Sequence, residues 1–192
     1  ATVVGLTLDQ YHDLIRRGLL DDPMLELIDG LIIQKDRSAA GEDPMTVGDR
    51  HRVSILRIMR FASEFERLDC YLQNQQPIAL PPASEPEPDV SVIRGGLEDY
   101  LDHPPGPRDV FSVIEVSDAS LRRDRTIKRR LYASAGIPQY IMANLVNNVI
   151  LVHEHPVNGA YERIVEYSGQ DAIRVAAGQD QSVEIPAALL LP

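Results

Sequence analysis

Between Asp109 and Gly136 the chain reads DVFSVIEVSDASLRRDRTIKRRLYASAG, and this stretch limits the possible folds more than any other. It opens with Val110-Phe111-Ser112-Val113-Ile114-Glu115-Val116, a β-branched and aromatic run short enough for a strand and apolar on both faces. That pattern predicts a strand at the centre of a sheet. Glu115 breaks the run, and a charge in such a place is costly unless a partner meets it or the carboxyl stays protonated. A helix should follow, capped by Ser117 or Asp118, running to Ala135 and stopped by Gly136 and Pro138. At about 100° per residue, Asp124, Ile127, Lys128, Leu131 and Ala135 share one stripe, while Arg122, Arg123, Arg129 and Arg130 point away from it. Asp124 and Lys128 therefore lie on the sheet-facing side, either as a partly buried ion pair with snorkelling stems or as working groups.

A chain of 192 residues suits a single domain, with an expected core over about 46–155, an N-terminal helix and hairpin over 7–35 and C-terminal strands over 160–186. No apolar run reaches membrane-spanning length and the opening ATVVGLTLDQ lacks a basic leader, so a cytoplasmic protein without membrane contact is expected. Cys70 is the single cysteine; it permits no internal disulfide and reads as a small core residue. The formal net charge of −10 argues against a general nucleic-acid binder, since phosphate affinity comes from basic surface. Yet Arg122, Arg123, Arg125, Lys128, Arg129 and Arg130 crowd into one helix, as either a solvated face or a binding patch.

In chain order, Thr7-Leu8-Asp9-Gln10 has capping-box form and starts a short helix that Gly18 can end. Leu25 to Ile33 alternates around Asp29-Gly30, a type I′ hairpin signal. Glu26 on its first arm faces either solvent or a cleft. Ser38 to Pro44 reads as a polar loop, and Thr46 as the cap of one long helix reaching about Leu68, with Val47, Ile55, Ile58, Met59, Ala62 and Phe65 as its apolar stripe. His51 falls on that stripe, as a core histidine or a functional one. Short strands are expected at Tyr71–Gln73 and Ile78–Leu80, then a stiff extended connector through Pro81, Pro82, Pro86 and Pro88. Asp89 then stands at the head of a strand running to Ile93. Beyond Gly136, strands are expected at Gln139–Asn144 and Val149–His153, joined by a tight Asn147-Asn148 turn, and at Tyr161–Tyr167. Two further short strands, Ile173–Ala176 and Val183–Ile185, read as peripheral.

Three features align: an acid after proline at a strand start, a glutamate buried in the next strong strand, and a lysine on the helix after it. Two carboxylates from adjacent strands can hold a hard divalent cation and leave room for water and a phosphate oxygen. A nearby ammonium can orient or deprotonate the attacking water and offset charge at phosphorus. Pro88-Asp89, Ile114-Glu115-Val116-Ser117, Asp124, Lys128, Tyr132, Ala135-Gly136 and Tyr140, with the Glu26-Leu-Ile-Asp-Gly30 hairpin and His51, resemble the Uma-type putative restriction endonucleases, a branch of the PD-(D/E)XK nuclease superfamily. The resemblance runs from about residue 7 to 155. It implies an α/β (α+β) restriction-endonuclease-like mixed sheet flanked by helices, with Asp89 and Glu115 as acids for Mg²⁺ or Mn²⁺. Ser117 stands where the superfamily usually has its lysine, so Lys128 would reach in from the helix, as the Uma-type pattern also allows. Relatives often carry Tyr-Trp and a later Asp where this chain has Tyr140-Ile141 and Asn144.

The dull rivals stay open at this stage: Asp89 as a strand-end acid, Glu115 as a structural partner of Arg108 or Lys128, Asp124 as an ordinary helix salt bridge. The reading is a metal-dependent endodeoxyribonuclease, expected as a homodimer on DNA. Asp89, Glu115 and Lys128 would be catalytic, Asp124, His51 and Glu26 a second tier, and Arg122, Arg123, Arg125 and Arg129 the backbone contacts. The alternatives are a catalytically silent nucleic-acid or protein-binding module on the same fold, and a hydrolase of some other phosphoester.

Overall fold

The computed structural model describes residues 4–22, 24–34, 49–117 and 122–191, except the side chains of 122–125. Its backbone is a six-stranded mixed sheet in the order β3-β4-β5-β6-β7-β8. These strands are β3 Cys70–Asn74, β4 Val90–Arg94, β5 Val110–Ser117, β6 Gln139–Asn144, β7 Val149–Val157 and β8 Ala160–Tyr167. Only β5 and β6 run parallel; α4, Arg122–Ser134, makes the crossover between them. The apolar run around Glu115 thus occupies the inside of the sheet, as its two-faced pattern requires. Ser117 is the last residue of β5 rather than a helix cap, its carbonyl accepting the Leu145 N–H at 2.9 Å, and Asp118 lies outside the described residues. Gly136, at φ +75°, ends α4 as expected, since a left-handed residue there lets the Ile137 N–H close on the Tyr132 carbonyl at 3.0 Å.

The two faces of the sheet are covered differently. One carries α2 (Asp49–Met59) and α3 (Ala62–Glu66) with Ile55, Ile58 and Phe65 over Val90, Val92, Ile114 and Val116. The single long helix expected to Leu68 is interrupted. Arg60 and Phe61 donate to carbonyls three residues back, at 3.3 and 3.0 Å, a tightened turn that swings α3 onto β3 while α2 lies over β5. No proline or glycine marks the break. Thr46, Val47 and the 38–44 loop lie outside the described residues.

The strands expected to be peripheral, β9 Ala172–Ala176 and β10 Ser182–Pro186, form their own antiparallel pair and close this same face. Ile173, Val175 and Ile185 are fully buried in the core. Gln139 links the pair to β6, its side chain taking the Ala176 N–H at 2.9 Å and giving to the Arg174 carbonyl at 3.0 Å, as a strand backbone would. Cys70 is buried on this side and its thiol faces the Ala177 carbonyl at 3.3 Å.

The other face carries α4 through Leu131, Tyr132 and Ala133, packed on Val113, Tyr140 and Met142. Tyr132, Tyr140, Tyr161 and His153 form a ring cluster here, and the Tyr161 hydroxyl donates to the Ile137 carbonyl at 3.0 Å. Burial lowers the pKa of His153. Beside α4 sit α1 (Leu8–Arg16), with the Thr7–Gln10 capping box formed, and the hairpin β1 (Leu25–Ile28) and β2 (Leu31–Gln34). Asp29 and Gly30 both take positive φ, +49° and +78°, as a type I′ turn demands. Gly5 crosses this turn so closely that a Cβ on it would stand 2.9 Å from the Gly30 Cα.

Two expected elements change. Ile78–Leu80 joins no strand of the sheet, because its amides bond to Pro86, Pro105 and Ser84 carbonyls. The first part of the proline connector is a turn, Leu80 pairing with Ser84, before Glu85 bridges to Leu27 of β1. The β6–β7 connection is a four-residue turn, Leu145 to Asn148, organised by Asn144 Oδ1, which accepts from Val146 and Asn147 at 3.2 Å each.

Candidate active site

Asp89 precedes β4 and Glu115 lies in β5, and the ladder pairs Val90 with Ile114. One further step of the antiparallel register sets residue 89 opposite residue 115, so two acids 26 positions apart meet at one end of the sheet. Asp89 Oδ2 accepts the Val116 N–H at 2.8 Å and lies 2.9 Å from Nε2 of His51, which α2 delivers from the other face. Gln75 Nε2 approaches Asp89 Oδ1 at 3.5 Å. The carboxylate is thereby fixed in orientation, with 13% of its side chain accessible.

Glu115 takes two donors on one oxygen: Lys128 Nζ at 3.2 Å and the Tyr132 hydroxyl at 2.8 Å, both from α4. Among the described residues no hydrogen bond reaches its Oε2. Burial pushes this carboxyl up to about 7, with Lys128 opposing, Asp89 adding to the rise, the Tyr132 hydrogen bond opposing and Glu26 adding. The Tyr132 hydroxyl is in turn raised well above its ordinary value, first by burial and then by the Glu115 charge. Lys128 also lies 3.6 Å from Glu26 Oε1, and Glu26, 4% accessible in its side chain, is held by the Glu87 N–H at 3.2 Å.

The structure therefore brings Asp89, Glu115, Lys128, His51 and Glu26 together. Glu26 looks inward, which its alternating strand left undecided. Lys128, not Arg108, is the partner of Glu115; Arg108 stands at the far end of β5. The side chains of Asp124, Arg122, Arg123 and Arg125 lie outside the described residues, while Arg129 is exposed on α4 and Arg130 is committed to Asp29 at 2.6 Å. Sequence reasoning missed the hydroxyl of Tyr132 as a donor to Glu115, although Tyr132 follows Lys128 by four residues and so shares its side of the helix. The Gln75 contact had no signal in the sequence.

The donor set tests what such a site could hold. Among the described residues no group of three or more His, Cys, Asp or Glu side chains is disposed to enclose a metal. Two carboxylates with open oxygens fit a cation that keeps water and substrate oxygens as its other ligands, as Mg²⁺ does. They do not fit a closed zinc cage.

A family model described as Uma2, putative restriction endonuclease, matches residues 8–188. The fold is similar to the crystal structure of a putative nuclease belonging to DUF820 from Anabaena variabilis, with a TM-score of 0.66 at 15% identity over 97% of this chain and 99% of that one. No curated protein matches the sequence. Among the described residues no helix is long and apolar enough to cross a membrane.

Proposed function

The chain belongs to the Uma2 family of putative restriction endonucleases, and from that premise we propose that it is a divalent-cation-dependent endonuclease hydrolysing phosphodiester bonds in DNA. One observation carries this reading. A half-buried Glu115, 15% accessible in its side chain and opposite Asp89, shares its oxygen with the ammonium of Lys128. An ordinary structural ion pair would not need a second acid across the ladder and a third, Glu26, at the same ammonium.

Asp89 and Glu115 would hold Mg²⁺ or Mn²⁺, which when bound would polarise a phosphate oxygen and acidify water. His51 and the Val116 N–H hold Asp89 in one orientation, and Tyr132 does the same for Glu115. Lys128, 13% accessible, is placed to steer the attacking water and to neutralise charge at phosphorus. Glu26 holds that ammonium from the hairpin side. Arg129 and its neighbours on α4 supply phosphate contacts in a chain that is otherwise acidic, so binding should be local and salt-sensitive. A homodimer suits cleavage of both strands, and a cytoplasmic setting suits a lone buried thiol.

Incubation of the full chain with plasmid DNA and Mg²⁺ or Mn²⁺ tests this. Nicking or linearisation is expected, abolished by chelator and in folded Asp89→Ala and Glu115→Ala. Activity that persists in both variants would overturn the assignment. Folded protein that binds DNA without cutting it under either cation would favour a silent binding module.

A further inference from the structure

At the opposite end of the same strands lies a cavity of about 660 Å³, within the range of small-ligand sites. Arg94 at the close of β4, Arg108 and Phe111 at the start of β5, and His155 of β7 line it. Phe111 is four residues from Glu115 along β5, roughly 13 Å at about 3.3 Å per residue, so the two sites are separate.

The charge balance here is unlike that of the rest of the molecule. Arg94 and Arg108 are both exposed and enter no ion pair among the described residues. The acids beside them are tied to internal donors. Asp109 Oδ2 accepts the Gly106 N–H at 2.9 Å, and Glu154 receives Arg163 and the Gln139 amide. The last turn of α4 borders the cavity too, but its Tyr132 and Ala133 carbonyls are taken by the Ile137 and Gly136 amides. In a chain of net charge −10, two guanidinium groups in no ion pair among the described residues, beside Glu154 already paired with Arg163 and a still-charged Asp109, make this recess more receptive to an anion than the acidic surface around it.

The anion is more than a bare one. Arg94 spreads its guanidinium over the Phe111 ring, Cζ at 5.0 Å from the centroid. A flat cation backed by an aromatic ring leaves its outer face for a planar ligand, and heterocyclic bases stack on such faces. A second arginine at the same rim offers a fork suited to phosphate. We propose that this cavity binds a nucleotide unit, its base stacked on Arg94 and its phosphate paired with Arg108. The unit comes either from a free mononucleotide or from the end of a nucleic-acid strand. The inference stands on this geometry alone and does not require the carboxylate site to be catalytic.

Calorimetry on the full chain without divalent cation tests it, using dAMP, inorganic phosphate and a short single-stranded oligodeoxynucleotide, with Arg94→Ala, Arg108→Ala and Glu115→Gln as variants. Saturable dAMP binding is expected, weakened about tenfold by each arginine substitution and unchanged in Glu115→Gln. Oligonucleotide binding tighter than dAMP assigns the strand end as the source, and the reverse assigns the free nucleotide. Absence of dAMP binding, equal competition by phosphate, or indifference to both arginine substitutions would each overturn the proposal. Plasmid cleavage assayed in parallel separates its failure from failure of the nuclease reading.

Discussion

The two faces of the central sheet are built from the same strands yet obey different rules. The α2/α3 face, with β9 and β10 folded over it, is an almost unbroken apolar core of Ile, Val, Leu and Phe. The α4 face is a ring cluster that ends in three acids, a lysine and a tyrosyl hydroxyl. The first face gains stability from every side chain it buries. The second accepts the cost of burying charge, and residual ionic tension concentrates on Glu115, whose carboxyl is pushed up to about 7. Stability and the proposed chemistry thus fall mainly on opposite sides of one sheet, with His51 of α2 reaching from the apolar side to Asp89.

The sharpest way to break this contrast is to cut each face once. On the α4 side, Lys128→Met should lower plasmid cleavage by roughly 10²- to 10⁴-fold in protein whose circular dichroism is unchanged. On the other side, Ile185→Ala should lower unfolding free energy by about 2–5 kcal/mol while cleavage per folded molecule stays put. If the two outcomes exchange places, the division between the faces is wrong.

A pH series sharpens the same comparison. Glu115 binds its proton more tightly folded, at about 7, than at its ordinary 4.5. Its contribution to stability is therefore fully present below about 4.5 and is lost as pH rises through 7. Urea titrations of metal-free protein should show stability falling across that window, and Glu115→Gln should flatten the fall. Divalent-cation binding should strengthen over the same range, because the ligand form is the ionised one. A wild-type slope identical to that of Glu115→Gln would mean that this carboxyl does not titrate there.

The smallest expected effect is that of Tyr132→Phe. Loss of one hydrogen bond to Glu115 should cost about 1 kcal/mol and lower divalent affinity, whereas Tyr161→Phe, whose hydroxyl donates to the Ile137 carbonyl at 3.0 Å, should leave affinity unaltered. Equal effects of the two on cation binding would make Tyr132 just another member of the ring cluster.

Much of the α4 face was legible from residue order. An acid inside the run Val110 to Val116 and a lysine on the inner stripe of the next helix are local patterns, and each landed where periodicity put it. Asp89 was legible because proline fixes the strand start. The apolar face was harder. The strands Ile173–Ala176 and Val183–Ile185 are too short to signal burial on their own, and their place depends on Gln139 and Ser112 reaching across from the main sheet. The break at Arg60-Phe61 likewise reflects where β3 lies, which no window along the helix can report. Glu26 could not be oriented because a four-residue strand shows both of its sides equally until something packs against one.

The crossing of Gly5 over Gly30, with no room for a single methyl group, reaches further than its position suggests. It works as a clasp: the N-terminal segment pins the hairpin tip, and the hairpin carries Glu26 to the ammonium of Lys128. Any residue larger than glycine at position 5 would pry the clasp open and loosen a charged contact that it never touches. Freedom of sequence at position 5 is therefore tied, through the Gly30 turn, to an ammonium contact elsewhere in the molecule.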